Sequence, residues 1–433
     1  MFNDKISIIT LGCSKNIVDS EVLLAQLKAN KINAKHDLLK NKTDIVLINT
    51  CGFINDAKEE SITTILKFAE AKKKGLIKKL IVFGCLVQRY KDELKSEIPE
   101  VDDFFGVNDL PFIIKKLNAN YRNNLIGERE LATPSHFAYL KISEGCNRKC
   151  SFCAIPLIRG KYISKPVENI VDEAKLLAAK GVKELILIAQ DLTYYGIDLY
   201  GKQRLSYLLE KLSEIDKIKW LRLQYAYPAN FPPDVIDVIK NNNKVCKYLD
   251  IPFQHINDNI LKSMQRGINK KQTLELLDKI KSKIPDIALR TSLMVGYPTE
   301  TKKEFNELVE FVEKIKFERL GVFTYSSEEN TKSFELKDRV PQNLKQQRFG
   351  EIMNLQKEIS SELNKNKIGK KIKVLIDKKE NGCFVGRTEY DSPEVDNEVI
   401  INKNKSKIKT GNFYNVRITG ASDYDLFGEL DKK

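Results

Sequence analysis

Residues 146–153 read Cys146-Asn147-Arg148-Lys149-Cys150-Ser151-Phe152-Cys153, a C-x3-C-x2-C arrangement of thiols. Iron–sulfur clusters are held by cysteine thiolates, and a [4Fe–4S] cluster usually takes four of them. Three cysteines therefore leave one iron open. Zinc is the main alternative, but structural zinc sites usually pair two C-x2-C knuckles or add a nearby histidine. The nearest histidine on the N-terminal side, His136, precedes the motif by ten residues, so we interpret the motif as a cluster site.

The motif lies near the start of a long region, residues 137–365, in which strand and helix patterns alternate. Apolar, β-branched runs of strand length are separated by helical stretches such as 167–180 and 271–283. This alternation predicts parallel strands joined by crossover helices. Six such runs predict a (β/α)6 partial barrel with its site at the carboxyl ends of the strands. The runs are 139–142, 184–189, 220–224, 248–251, 288–294 and 320–324.

Three apolar runs in the first part of the chain each end in a cysteine: Cys13, Cys51 and Cys85. Each run has the length of a buried parallel strand, and helical patterns follow the first two over 21–28 and 55–71. We therefore predict a parallel α/β sheet, whose thiols meet at the edge where such folds bind ligands. A single cysteine at a strand end is more often only a small buried residue. Together, the three predict a second cluster with one open iron.

The end of the chain has a different pattern. After a polar helical stretch at 343–365, short alternating strands are separated by Gly, Asn and Asp. The strand candidates are 371–376, 382–387, 398–401 and 413–419. They predict a small antiparallel β-barrel. With a linker at 122–135, we divide the chain into an N-terminal three-cysteine domain at 1–125, a central domain at 132–365 and a barrel at 368–433.

Composition limits the class of protein. The chain has 433 residues, 42% of them hydrophobic, and no run near the ~18 apolar residues that would span a membrane. Its start lacks the pattern of a signal peptide, so we expect a cytoplasmic protein with no membrane partner. The net charge of +14 is compatible with nucleic-acid binding, but equally with lysines scattered over solvated surfaces. Eight cysteines do not predict a disulfide scaffold; we expect Cys246 in a core and assign no role to Cys383.

The loop from Glu144 to Pro156, followed by Arg159-Gly160, resembles the signature loop of the radical S-adenosylmethionine (SAM) superfamily. The resemblance implies that the open iron of the central cluster chelates the amino and carboxylate groups of SAM. An electron then cleaves SAM to methionine and a 5′-deoxyadenosyl radical, which takes hydrogen from carbon that no side-chain base deprotonates at neutral pH. Phe152 resembles the aromatic residue that packs on the adenine.

A three-cysteine domain, a radical SAM domain and a small barrel together resemble the methylthiotransferases, whose barrel is called a TRAM domain. The resemblance covers essentially the whole chain. It implies two [4Fe–4S] clusters and two molecules of SAM, one as methyl donor and one as radical source. The N-terminal cluster would deliver sulfur. The implied partners are therefore a sulfur donor and an electron donor of the flavodoxin or ferredoxin type.

Two branches of that family differ in substrate. A MiaB-type branch modifies tRNA adenosines, and a RimO-type branch modifies an aspartate of a small-subunit ribosomal protein. Several stretches resemble the RimO-type branch. They are 11–16 with 19–21, 49–54 with 57–61, 84–86 with 88–90, and 141–146. One position departs from it, since Ser14 stands where that branch commonly has proline. We therefore expect methylthiolation of the β-carbon of an aspartate in small-subunit ribosomal protein number twelve. The alternatives are the tRNA enzyme and, more weakly, a non-enzymatic iron–sulfur or RNA-binding protein.

The charge of the barrel bears on this choice. From residue 370 to the end there are 13 Lys or Arg against 11 Asp or Glu, and residues 389–398 contain acids but no base. A phosphate-binding surface should be strongly positive, whereas an acidic strip suits a basic ribosomal protein. The simpler alternative is a solvated turn. We expect docking through Glu389, Asp391, Glu394, Asp396 and Glu398.

Other polar residues end or follow the predicted central strands, and by resemblance some of them would hold SAM. They are Gln190, Asp191, Asp250, Gln254, His255, Arg290 and Gly296. The segment 296–300 with Arg290 resembles the region where the family holds the SAM ribose and carboxylate. Each of these residues could equally be structural, and His255 in particular could be an ordinary hydrogen-bonded histidine.

Overall fold

The N-terminal domain places its cysteine-bearing strands side by side. The computed structural model describes residues 4–37, 43–125, 127–337, 339–402 and 408–431. The strands are β1 Ile6–Thr10, β2 Ala34–His36, β3 Ile45–Thr50, β4 Lys79–Gly84 and β5 Asp103–Phe105, all parallel in the order β2-β1-β3-β4-β5. The helices are α1 Ser14–Ala29, α2 Asn55–Lys73, α3 Cys85–Glu97 and α4 Leu110–Lys116. The predicted parallel sheet is confirmed, while β2 and β5 were missed because three-residue strands carry little pattern.

Helix α1 begins earlier than the sequence predicted, at Ser14 rather than at Glu21. Cys13 has an extended backbone and occupies the N-cap position. Starting there, the helix buries Val18 against strands of the central domain and Leu27 against its own sheet. The polar start of the helix hid this amphipathic pattern. Consequently the first cysteine, the start of α1 and the central domain are in direct contact.

The central domain contains the predicted six parallel strands. Strand β6 Phe137–Lys141 is followed by a short antiparallel pair, β7 Ser143–Glu144 and β8 Ile163–Ser164, which closes the base of the cysteine loop. The other strands are β9 Glu184–Ile188, β10 Trp220–Leu223, β11 Val245–Asp250, β12 Ala288–Val295 and β13 Arg319–Thr324. They lie in the order β13-β12-β11-β10-β9-β6. The predicted (β/α)6 architecture is thereby confirmed.

Nine helices of the described chain surround this sheet. They are α5 Ile155–Arg159, α6 Val167–Ala179, α7 Ile197–Tyr200, α8 Leu205–Ser213, α9 Pro233–Asn241, α10 Asp258–Ser263, α11 Lys270–Lys283, α12 Lys302–Ile315 and α13 Gln342–Lys365. Short 3₁₀ turns lie at Asn123–Leu125, Leu192–Tyr194 and Lys332–Glu335. Within the described ranges, no helix is both long and apolar enough to span a bilayer.

The last five strands close the predicted small barrel. They are β14 Lys371–Glu380, β15 Cys383–Thr388, β16 Val399–Ile401, β17 Phe413–Ala421 and β18 Leu426–Leu430, in the order β14-β15-β16-β18-β17. All pairings are antiparallel except β16 with β18. Cys383 opens β15 and is partly exposed. Cys246 is buried in a cluster shared by the central sheet and the barrel, as a core residue should be.

The acidic strip is not a free surface, which corrects the docking expectation for two of its members. The Asp391 side chain is 1% exposed and forms an ion pair with Arg319 at the start of β13. The Asp396 side chain, also 1% exposed, accepts a hydrogen bond from the Tyr248 hydroxyl at 2.8 Å and pairs with Arg290 at 3.3 Å. Burying a carboxylate requires such partners. These two acids therefore attach the barrel to the central sheet and cannot dock a substrate protein.

The other three acids have separate surroundings. A carboxylate oxygen of Glu389 accepts the backbone N–H of Lys247 at 3.2 Å. Glu394 is exposed, and its carboxylate accepts the Tyr139 hydroxyl at 3.2 Å. Glu398 lies 3.4 Å from the ammonium of Lys378, on the barrel itself. The loop from 389 to 398 is thus mainly an interdomain contact rather than one continuous acidic face.

Candidate active site

The N-terminal triad lies at the carboxyl edge of the first sheet. Cys13 follows β1, Cys51 directly follows β3, and Cys85 directly follows β4, and these three strands are neighbours. Gly12 has φ +85°, and a Cβ added to it would lie 2.6 Å from the Cβ and 2.9 Å from the Sγ of Cys51. Only glycine therefore lets the first cysteine turn approach the second. The structure brings together the three cysteines that the sequence grouped.

The central triad lies on the loop between β7 and α5. All three thiols are free and partly exposed. The backbone N–H of Arg148 donates to Cys146 Sγ at 3.4 Å, and a guanidinium N–H of Arg266 donates to Cys150 Sγ at 3.3 Å. Burial raises the pKa of Cys146 to about 11 and that of Cys153 to about 12. Donors aimed at sulfur favour thiolates, which are the form that binds iron.

Arg159, at the end of α5, connects the two triads. One of its guanidinium N–H groups donates to Cys85 Sγ at 3.5 Å and to the Asn16 side-chain oxygen at 2.7 Å. Another donates to Glu144, two residues before the central motif, at 3.0 Å and to Asp19 at 3.2 Å. The guanidinium is thus held by a residue set drawn from both domains. It fixes the position of the N-terminal triad relative to the central cysteine loop.

Apolar packing supports the same arrangement. Cys85 shares a small buried cluster with Ala154 and Ile158, and Ala154 directly follows Cys153. Burial raises the pKa of Cys85 to about 12, although the nearby Arg159 charge opposes this effect. The two triads therefore share one region between the N-terminal sheet and the mouth of the central barrel.

Two of the predicted SAM residues lie beside the central motif. The Gln190 side-chain N–H₂ lies 3.4 Å from Glu144, while its carbonyl oxygen is buried and has no hydrogen-bond partner in the described part of the chain. An unpaired buried acceptor suits a ligand that carries a donor. Asp191 instead accepts the Arg148 guanidinium at 2.7 Å and so supports the loop that carries Cys146.

The remaining predicted SAM residues mostly have structural contacts. Arg290 pairs with Asp250 at 3.2 Å as well as with Asp396, so its guanidinium is already engaged by two carboxylates. A Cβ on Gly296 would lie 2.3 Å from the Lys345 side chain on α13. These contacts give both residues structural roles, while their expected part in SAM binding stays a prediction. Phe152 packs at the edge of a buried cluster formed by Ile260, Met264, Tyr297 and Tyr325.

His255 is fully buried with its Nε2 3.4 Å from Glu300, which in turn accepts Arg348 at 2.6 Å. Glu300 also accepts the backbone N–H of Gly296 at 3.0 Å. This set ties α13 to the end of β12. The contacts of His255 are thus structural ones, while its expected place beside SAM stays a prediction. Gln254, with φ +72°, forms an isolated bridge to Leu293 beside it.

The sequence predicted no role for several cationic and tyrosine side chains near the two triads. Arg266 reaches Cys150 from beyond α10, and its guanidinium stacks over the Tyr227 ring at 4.3 Å. Lys15 extends from α1 over the Tyr225 ring, with its nitrogen 3.4 Å from the ring centroid. The sequence indicates a place near the triads for Lys15, which lies two residues after Cys13. It gives no such signal for Arg266, which is distant from every cysteine in sequence.

Known families match three successive parts of the chain. The Radical SAM superfamily matches residues 140–312, the uncharacterized protein family UPF0004 matches 5–106, and the TRAM domain matches 368–430. A relative from Cytophaga hutchinsonii, the ribosomal protein uS12 methylthiotransferase RimO, is 55% identical and is aligned over 99% of this chain and 98% of its own length. The protein of the same name from Bacteroides thetaiotaomicron is 51% identical over 100% of both chains. This chain belongs to the RimO family of methylthiotransferases.

Solved structures of radical SAM enzymes share its fold. The methyltransferase TsrM from Kitasatospora setae gives a TM-score of 0.54 at 12% identity, covering 73% of this chain and 72% of that one. The cobalamin-dependent enzyme OxsB gives 0.52 at 10% identity, covering 82% and 56%. At such identities the likeness concerns the fold alone. Membership of the RimO family confirms the expected radical SAM methylthiotransferase with an iron–sulfur cluster and SAM, and does not favour the MiaB-type alternative.

The donor chemistry of the site fits these cofactors. Each triad offers three free thiols, and a guanidinium N–H points at one sulfur of each. In the described residues, no three His, Cys, Asp or Glu side chains surround a position for a single metal ion. A cluster takes its thiolates on different irons, so its cysteines stand further apart than the ligands of one ion. The unpaired carbonyl of Gln190 beside the central motif suits the amino group of SAM.

Proposed function

We propose that this protein replaces a hydrogen on the β-carbon of an aspartate in ribosomal protein uS12 by a methylthio group, using SAM and two [4Fe–4S] clusters. The observation that carries the proposal is the pair of three-cysteine sets joined by Arg159, which contacts Cys85 in one domain and Glu144 beside the other set. A β-carbon is not electrophilic, so sulfur cannot arrive by simple displacement. Removing hydrogen and supplying sulfur are two tasks, and two adjacent sites suit them.

The bound cofactors would supply the hydrogen-abstracting radical, the sulfur and the methyl group. The chain's own residues hold and orient them. The triad Cys146, Cys150 and Cys153 would hold the cluster that binds SAM, with Gln190 accepting a hydrogen bond from its amino group. The triad Cys13, Cys51 and Cys85 would hold the second cluster. Phe152 is proposed to pack on the adenine.

The reaction also needs partners that bring electrons and sulfur. A flavodoxin or ferredoxin would reduce the central cluster, and a separate sulfur donor would replenish the second one. The protein substrate is uS12, as the names of the relatives indicate for those proteins. The strip of five acids is not part of this proposal, because two of its members are buried.

The test uses the full chain, reconstituted anaerobically with iron and sulfide. With SAM, a chemical reductant and purified uS12, mass spectrometry should find one methylthio group on a uS12 aspartate and none on tRNA incubated in parallel. Cys13→Ala should abolish methylthiolation yet still form 5′-deoxyadenosine, because SAM cleavage needs only the central cluster. Modification of tRNA with uS12 untouched would refute the proposal. Loss of both activities in a folded Cys13→Ala protein that keeps its central cluster would refute the division of tasks.

A further inference from the structure

Lys15 is a buried cation at the junction of the N-terminal domain and the central barrel. It lies in the first turn of α1, two residues after Cys13, and is 8% exposed. Its ammonium lies 3.4 Å from the centroid of the Tyr225 ring. Tyr225 follows the end of β10 and has φ +69°, a conformation that non-glycine residues rarely adopt outside functional or tightly constrained sites. The face of this ring lies against the ammonium.

The ammonium forms no ion pair and no hydrogen bond with any residue that the structure describes. Its ionisable neighbours are Cys13, Arg159, Asp250 and Glu144. The two acids among them already serve other cations, since Glu144 pairs with Arg159 and Lys141, and Asp250 pairs with Arg290. A buried charge is normally paired, and an aromatic face only partly replaces a counterion. The site is therefore prepared for an incoming anion.

The position of Lys15 indicates which anion. An aspartate carboxylate is bonded directly to the β-carbon that the proposed function modifies. A cation next to Cys13 that binds this carboxylate would place the β-carbon beside the N-terminal triad. The carboxylate of SAM is the other candidate anion, but it belongs at the central triad. Resting on the proposed function, we infer that Lys15 binds the carboxylate of the substrate aspartate and positions its β-carbon for sulfur transfer.

The experiment measures binding and turnover with two forms of uS12, one with the modified aspartate and one with asparagine in its place. The reconstituted wild-type chain should bind the aspartate form at least about tenfold more tightly, as expected for one charge-assisted hydrogen bond. Lys15→Met should bind both forms equally. It should keep its iron content and its SAM affinity, and still form 5′-deoxyadenosine. Lys15→Arg, which retains the charge, should keep part of the preference.

Lys244→Met is the matched control. Lys244 is half-buried, and its ammonium donates to the carbonyls of Ser213 and Ile215 at the opposite end of the central barrel. This variant should prefer the aspartate form as the wild type does. Should Lys15→Met keep that preference, or lose SAM affinity instead, the inference is wrong. The wild type alone can also refute the inference. If it modifies uS12 but binds the aspartate and asparagine forms equally, the inference is wrong while the proposed function still holds.

Discussion

Asp391→Asn should weaken the attachment of the TRAM barrel, because it removes the charge that neutralises a buried guanidinium. The Asp391 carboxylate accepts two N–H groups of Arg319, one at 2.9 Å, and the Thr388 hydroxyl at 2.5 Å. Both side chains of the ion pair are at most 5% exposed. Removing one partner of a buried pair costs about 3–5 kcal/mol, since the other charge stays buried without compensation.

Trp220 provides the assay. It is the single tryptophan of the chain, and its ring contacts Phe413 of the barrel edge-on with centroids 4.8 Å apart. Its fluorescence should therefore change when the barrel leaves the central sheet. With a urea slope of ~2–3 kcal/mol per M, the lost free energy of attachment should lower the urea midpoint of the fluorescence change by about 1–2 M. Glu394→Gln, in the same loop but exposed, should shift the midpoint by far less.

The difference in urea midpoint between the wild type and Asp391→Asn should depend on pH and become smaller at acidic pH. Burial would raise the pKa of Asp391, but the charges of Arg319 and Lys367 and the hydrogen bond from Thr388 outweigh burial and lower it. A carboxyl group with a lowered pKa in the folded state stabilises above its unfolded pKa, about 3.9, and loses that contribution as pH falls through the folded value. The difference should be constant from about pH 5 to 7, where Lys367, whose pKa burial lowers to about 8, is still charged, and it should shrink below about pH 4. Equal urea midpoints for Asp391→Asn and Glu394→Gln at neutral pH would refute the reasoning.

Three further predictions concern the clusters. The reconstituted chain should hold about eight irons by chemical analysis, falling to about four in the triple alanine variant of Cys146, Cys150 and Cys153; four irons in the wild type would remove the second cluster. Arg266→Met should make the reduction potential of the central cluster more negative, because the substitution deletes a charged donor to Cys150 Sγ. A redox titration followed by electron paramagnetic resonance would measure this shift. Arg159→Met should reduce methylthiolation more than 5′-deoxyadenosine formation, because Arg159 fixes one triad relative to the other; equal losses would contradict this role.

The sequence predicted those features that depend on local pattern. Buried parallel strands are apolar along their whole length, so the runs that end at Cys13, Cys51 and Cys85 could be recognised. The C-x3-C-x2-C motif likewise contains all its ligands within eight residues. Since parallel strands end at one edge of a sheet, the convergence of the first three cysteines followed from the fold class.

The missed features depend on partners distant in sequence. The acids of 389–398 look solvated when only their neighbours in the chain are considered, yet Asp391 is paired with Arg319, 72 positions away. Arg266 likewise reaches Cys150 across 116 positions. No charge count over a local window reports such a pairing. The acid-only strip therefore predicted an exposed docking surface, but Asp391 and Asp396 are buried in the contact between the barrel and the central sheet.

The contacts of Asp396 connect the barrel to the charged residues around Lys15. Asp396, from the barrel, and Asp250, from the end of β11, hold Arg290 between them. Because Asp250 is engaged in this way, it does not pair with the neighbouring ammonium of Lys15. Without Asp396, Asp250 would be the one carboxylate still paired with Arg290 among the described residues. Through Asp396, the C-terminal domain thus helps to hold Arg290, whose other partner, Asp250, is an ionisable neighbour of Lys15.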